Sequence, residues 1–162
     1  LDPIRELARS YKDAKTVLFL GRNVGFPIAL EGALKLKELA YIHSEGFAAG
    51  ELKHGPIALI EQGQPVIVIV PSVNDSDSLH AKVVSNIQEV LARGAKVIAI
   101  AEEGDTAVSQ VTDQVCFVPA VHKMLAPILT VIPLQVFAME LSAAKGLDVD
   151  QPRNLAKSVT VE

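Results

Sequence analysis

The feature that most constrains this chain is a set of short apolar runs recurring along it: Thr16-Val-Leu-Phe-Leu20, Pro65-Val-Ile-Val-Ile-Val70, Lys96-Val-Ile-Ala-Ile100 and Gln114-Val-Cys-Phe-Val118. Runs that are apolar at nearly every position, rather than at every second one, fit strands covered on both faces, as in a parallel sheet between helices. The runs alternate with segments of helical spacing. This alternation predicts an α/β three-layer sandwich whose mainly parallel sheet has about four or five strands.

The connecting segments support that reading. Residues 3 to 14 space Ile4, Leu7, Ala8 and Tyr11 along one face of a short helix. Gly21-Arg-Asn-Val-Gly25 reads as a turn, and Pro27 suits the first turn of a helix over residues 27 to 40. Residues 41 to 49 read as strand and loop, and Pro56-Ile-Ala-Leu-Ile60 as a short helix or an apolar plug. A helix over residues 77 to 93 places Leu79, Val83, Ile87, Val90 and Leu91 on one side, with Ser76 or Asp77 at its start and Gly94 at its end. Residues 102 to 111 give a polar loop and a helical turn.

The stretch from Leu125 to Leu141 is strongly apolar but contains Pro127, Pro133, Gln135 and Glu140. A membrane span wants about 20 clean apolar residues, so a buried core helix bent near Pro133 is predicted instead. Residues 1–147 form the expected domain and residues 148–162 a polar tail that composition alone would leave flexible.

Composition removes several functions. Aromatic residues make up 4% of the chain and there is no Trp, which argues against stacking platforms for sugars or single-stranded nucleic acid. A net charge of -4 argues against a nucleic-acid surface. The single Cys116 lies in an apolar strand and reads as a packed thiol. With no second Cys and no leader-like N-terminus, a reducing, cytoplasmic setting is expected. No cluster of His, Cys and carboxylate has metal-ligand spacing, so no metal is expected, and acid-base chemistry of the kind these residues suit needs no organic cofactor.

The chemistry-bearing stretch is Glu31-Gly-Ala-Leu-Lys35-Leu-Lys-Glu38. On a helix, Glu31, Lys35 and Glu38 fall at i, i+4 and i+7, on one face. Ile28, Leu30, Leu34, Leu36 and Leu39 surround them, which predicts packing on most sides and a cost to holding these charges. Such a carboxylate suits proton transfer; a helical Glu-Lys ion pair is the plainer reading. Gly21 and Gly25 are spaced Gly-x-x-x-Gly with no Gly-Lys-Ser/Thr after them, so no dinucleotide or P-loop site is supported. Arg22 and Asn23 read as a solvated turn before they read as an anion contact. His54 falls on a loop, where a near-neutral imidazole suits acid-base transfer. His43, His80 and His122 read as solvated or capping residues.

Two blocks carry a family resemblance. One is Ile28-Ala-Leu-Glu-Gly-Ala-Leu-Lys-Leu-Lys-Glu38 running on to Gly50-Glu-Leu-Lys-His-Gly-Pro56; the other is the terminal run Asp148-Val-Asp-Gln-Pro-Arg-Asn-Leu-Ala-Lys157-Ser-Val-Thr-Val-Glu162. In this order the blocks resemble the second sugar-isomerase subdomain of the glutamine-fructose-6-phosphate aminotransferase family. The resemblance implies conversion of fructose 6-phosphate and glutamine-derived ammonia to glucosamine 6-phosphate. It matches Glu38 to the isomerase base, Lys35 to a lysine that handles protons near the sugar oxygens, and His54 to a ring-opening histidine contributed across a homodimer interface. Lys157 matches a lysine that forms an imine with the sugar, on a tail folded back over the site. The implied partners are the sugar phosphate, a first isomerase subdomain with a Ser/Thr- and Gly-rich phosphate loop, and a glutaminase domain, with no nucleic acid and no membrane.

The corresponding turn here, Pro71-Ser-Val-Asn-Asp75-Ser-Asp77, has no glycine and two acids that would repel a phosphate, so the isolated chain is expected to have little activity. Two other readings remain open from sequence. A stand-alone phosphosugar isomerase or deaminase would need another phosphate contact, such as Arg22 and Asn23. A non-catalytic sugar-phosphate-sensing module would have no need of Glu38 or Lys157.

Overall fold

The computed structural model describes residues 2–74 and 78–155. Its element order is α1 (Asp2–Ser10), β1 (Thr16–Gly21), α2 (Gly25–Ala40), β2 (His43–Ala48), 3-10 turns at Ala49–His54 and Pro56–Leu59, β3 (Pro65–Ile69), α3 (Leu79–Leu91), β4 (Lys96–Glu102), α4 (Thr106–Ser109), β5 (Val115–Val118) and α5 (Ala126–Ala144). Five strands form one sheet in the order β2-β1-β3-β4-β5, with every neighbouring pair parallel.

The predicted runs became strands for the expected reason. All five residues of β3 are buried, and so are five of the six in β1, because helices cover both faces. One face packs Val17, Phe19, Ile67, Ile69, Ile98 and Ile100 against α1, α2 and α5. The other packs Leu18, Leu20, Val66, Val68, Val97 and Ala99 against α3 and the first 3-10 turn. Each fully buried Leu or Ile contributes about 1.5–3 kcal/mol.

α2 sits close on the sheet. A Cβ at Gly32 would come within 2.8 Å of Phe19 on β1 and Leu134 on α5, so glycine is what lets three elements meet there. Polar side chains lock the layer: Ser142 donates to the Leu39 carbonyl at 2.7 Å and Ser44 to the Ala33 carbonyl at 2.9 Å. Glu140 on α5 takes Arg9 at 2.8 Å and Arg5 at 3.3 Å, which ties α1 down.

α5 has the length and apolarity of a membrane span, but Leu134, Phe137, Ala138 and Leu141 are at most 1% exposed against the core. α3 begins at Leu79 after Ser78, whose φ is 52° and whose side chain caps nothing; the predicted caps Ser76 and Asp77 lie outside the described residues. At the other end Gly94, at φ 90°, donates to Leu91 as predicted for a glycine stop.

Candidate active site

α2 runs antiparallel to the strands it covers, so its last turn lies at the amino edge of the sheet, beside the start of β2. There Lys35 Nζ stands 2.5 Å from Glu38 Oε2 and 3.7 Å from Glu31 Oε1, on the single face that the spacing predicts. The hydrogen bond to Glu38 holds the Lys35 amine above its ordinary value against the opposing effect of burial, and the charges of Glu38 and Glu31 add to it. Near neutral pH Lys35 is therefore an ammonium, fitted to donate to an oxygen and not to act as a base.

The expected enclosure of this face is corrected. The side chains of Lys35 and Glu38 are each 27% exposed and that of Glu31 is 36% exposed, while Leu30 and Leu34 point outward. The contact face of α2 is built from Gly25, Ala29, Gly32, Ala33 and Ala40, small residues that let the helix seat closely, together with the fully buried Leu36, while Leu30 and Leu34 are left to solvent.

A cavity of about 500 Å³ opens beside Glu38, lined also by Lys37, Tyr41, His43, Arg153 and Asn154. Residues 148–155 reach it from the far end of the chain. Asp148 Oδ1 accepts the backbone N–H groups of Asp150 and Gln151 at 2.9 and 3.1 Å, turning the chain after α5. The N–H of Arg153 donates to Tyr41 Oη at 2.7 Å, and its guanidinium lies 4.1 Å from the centroid of the Tyr41 ring. Lys157 lies outside the described residues.

Sequence reasoning missed Tyr41, His43 and Arg153 as site-lining residues. Their signal was present but weak: Tyr41 occupies the helix-stop position where glycine is usual, and Arg153 lies in the terminal block.

His54 lies elsewhere. It ends the 3-10 turn Ala49–His54, which follows β2 at the carboxyl edge, and it is exposed. Ala49 and Leu52, both fully buried, anchor the turn. Lys53 reaches α3, pairing with Glu89 at 2.8 Å; Asn86 donates to Glu89 at 3.3 Å and accepts from Arg22 at 3.4 Å. Burial by itself would raise the Glu89 carboxyl, but the hydrogen bonds from Lys53, Asn86 and Ser85 and the Lys53 charge outweigh it and hold the group below its ordinary value. β2 places roughly 17 Å of strand between the two ends. One copy of this chain therefore brings Lys35 and Glu38 together and keeps His54 away from them.

Arg22 is not the solvated residue expected of a turn. It is half-buried, bonded to Asn86, with its guanidinium against Gly50. Folds of this strand order bind ligands at the carboxyl-edge switch point between β1 and β3, yet the cavity beside Arg22 there is only about 20 Å³.

His80 also departs from expectation. Its Nε2 meets Asp105 Oδ2 at 2.7 Å and its side chain is 13% exposed, while Asp105 Oδ1 caps α4 through the Val108 N–H. His122 is the local cap it was expected to be, accepting from the Met124 N–H at 3.4 Å. Cys116 is 4% exposed, and burial pushes its thiol up. Among the described residues no group of three His, Cys, Asp or Glu is placed to hold a metal.

Fold and site together define a sugar-isomerase type of α/β domain, and the chain belongs to the SIS-domain family, whose match covers residues 10–145. The more particular resemblance seen in the two sequence blocks extends over the whole chain. A glutamine–fructose-6-phosphate aminotransferase (isomerizing) of Leifsonia xyli is 71% identical over 99% of this chain, and that of Streptomyces coelicolor is 65% identical over all of it. This chain spans only 26% of the length of either relative. Among solved structures, the C-terminal domain of glucosamine-fructose-6-phosphate aminotransferase from Francisella tularensis superposes with a TM-score of 0.82 at 42% identity, over 93% of this chain and 41% of that one.

Proposed function

We propose that this chain is the second sugar-isomerase subdomain of a cytoplasmic glutamine-fructose-6-phosphate aminotransferase. In this reading it works beside a first isomerase subdomain and a glutaminase domain, in a homodimer that makes glucosamine 6-phosphate. The observation that carries the reading is the Lys35–Glu38 pair, whose Glu38 lines the cavity, on a chain 71% identical over 161 residues to such an enzyme.

Moving a carbonyl from C2 to C1 of a sugar phosphate requires a group that takes a proton from one carbon and delivers it to the other. Glu38 does this as a carboxylate. The Lys35 ammonium, 2.5 Å away, orients the carboxylate and donates toward the sugar oxygen on which negative charge develops. His54 of a second copy opens the sugar ring by passing a proton between ring and hydroxyl oxygens. The Lys157 amine condenses with the C2 ketone, releasing water, and the resulting imine exchanges its lysine for ammonia.

The phosphate grip lies outside this chain, because Arg22 is committed to Asn86 and the switch-point cavity is too small for a phosphate. The test is turnover of fructose 6-phosphate and glutamine by the full-length enzyme, with Glu38→Gln as the matched variant. Loss of glucosamine 6-phosphate in the variant is the expected result; unchanged turnover would overturn the assignment.

A further inference from the structure

Tyr41 stands in a conformation that its side chain makes costly. It caps the C-terminus of α2 at φ 55° and ψ 33°, the left-handed region in which helices usually end on glycine. Nothing about ending a helix calls for an aromatic ring there. The ring is used by a segment 112 positions away: the Arg153 N–H donates to the hydroxyl at 2.7 Å, and the guanidinium stacks on the face at 4.1 Å. Both contacts converge on the rim of the cavity that holds Glu38. Asn154, the next residue, is itself in the left-handed region at φ 61°, so the chain turns directly after the contact.

We propose that Tyr41 and Arg153 are positioning residues for the isomerase reaction: the pair clamps residues 148–155 as one wall of the Glu38 cavity and so fixes the shape of the site in which the sugar meets Glu38. The inference rests on the functional reading above and adds to it the two residues that join the tail to α2. It treats the strained backbone at Tyr41 as the consequence of keeping a ring where glycine would fit. Arg153 is exposed and makes this contact without support from the core, so the clamp and the stability of the fold are separable.

The experiment uses the full-length enzyme and four single variants: Tyr41→Gly, Tyr41→Phe, Arg153→Ala and Glu38→Gln. Tyr41→Gly suits the left-handed backbone and removes the clamp, so its melting temperature should equal or exceed that of the parent. Its kcat for glucosamine 6-phosphate formation should fall by roughly 10- to 100-fold, the effect of a misplaced reacting group. KM for fructose 6-phosphate should stay within about 3-fold, because the phosphate is held elsewhere. Arg153→Ala removes the stack but keeps its backbone N–H bond to the Tyr41 hydroxyl, so it should lower kcat to a value between the parent and Tyr41→Gly. Tyr41→Phe keeps the stack, loses the hydroxyl acceptor and should lie between.

Full kcat in Tyr41→Gly and Arg153→Ala, with Glu38→Gln inactive, overturns the clamp and leaves the functional reading standing. Full kcat in Glu38→Gln overturns both. If Tyr41→Gly proves unstable, the exposed Arg153→Ala still decides, since only a positioning role makes it lower kcat without lowering the melting temperature.

Discussion

The two ends of the sheet hold their functional side chains in different ways. At the amino edge, Lys35 and Glu38 ride on the last turns of a 16-residue helix seated on the core by Ala33, Leu36 and Ala40. At the carboxyl edge, His54 ends a six-residue 3-10 turn anchored by Ala49 and Leu52 and tied sideways through Lys53 to Glu89. The first arrangement fixes two charged groups against each other before any ligand arrives. The second presents one imidazole outward, ahead of Gly55 at φ 150°. A group presented in this way is suited to completing a site on another surface.

The largest effect that would test the contrast comes from the amino edge. Glu38→Gln in the full-length enzyme should lower isomerisation by about 10²- to 10⁴-fold, the range for loss of a positioned general base. Lys35→Gln should cost less, because it removes an orienting donor and not the base. Equal losses would mean that the two act as one proton-transfer unit.

Stability sharpens the comparison next. Leu36 and Leu52 are both fully buried, one under each end, and truncating either to Ala should cost about 2–5 kcal/mol by denaturant unfolding. Leu34→Ala, at a position 41% exposed, should cost under about 1 kcal/mol. A Leu34 loss as large as that of Leu36 would show that the outer face of α2 is covered in the protein.

The smallest effects are those of pH. The Glu89 carboxyl is held below its ordinary value, so its pairing contributes stability above the ordinary carboxylate range of about 4.3 and loses it as pH falls through the lower, folded value. Because Lys53 is 65% exposed, the amount is under about 1 kcal/mol, and Glu89→Gln should flatten the acid limb of the stability profile by that much. Lys35 has the opposite sign. Its raised value contributes stability that is complete below the ordinary lysine value of about 10.4 and is lost as pH rises through the folded one. Thermal melts between pH 9 and 11.5 should show that loss in the parent and not in Lys35→Met.

The strands β1, β3 and β4 were legible because burial on both faces leaves a continuous apolar run, and β5 was legible because its run is apolar even though Phe117 on this edge strand is exposed. β2 was harder to read. His43-Ser-Glu-Gly-Phe-Ala48 is an edge strand paired on one side only, and its polar residues belong to the edge. The one-faced placement of Glu31, Lys35 and Glu38 was legible because helical spacing alone fixes it. Their half-open setting was not, because the helix packs through alanines and glycines that an apolar pattern undervalues. The contacts of His80 with Asp105 and of Arg153 with Tyr41 join positions 25 and 112 residues apart, and local pattern carries no trace of either.

The central claim, that Glu38 and His54 serve one reaction from different copies, is tested most directly by mixing. Full-length Glu38→Gln and His54→Ala proteins, each inactive alone, are combined in equal amounts, allowed to exchange subunits and assayed for glucosamine 6-phosphate. Random exchange places one intact site in half of the dimers, so about a quarter of parental activity should return. No recovery, with exchange verified by differently tagged subunits, would mean that both residues act within one copy and would contradict the account.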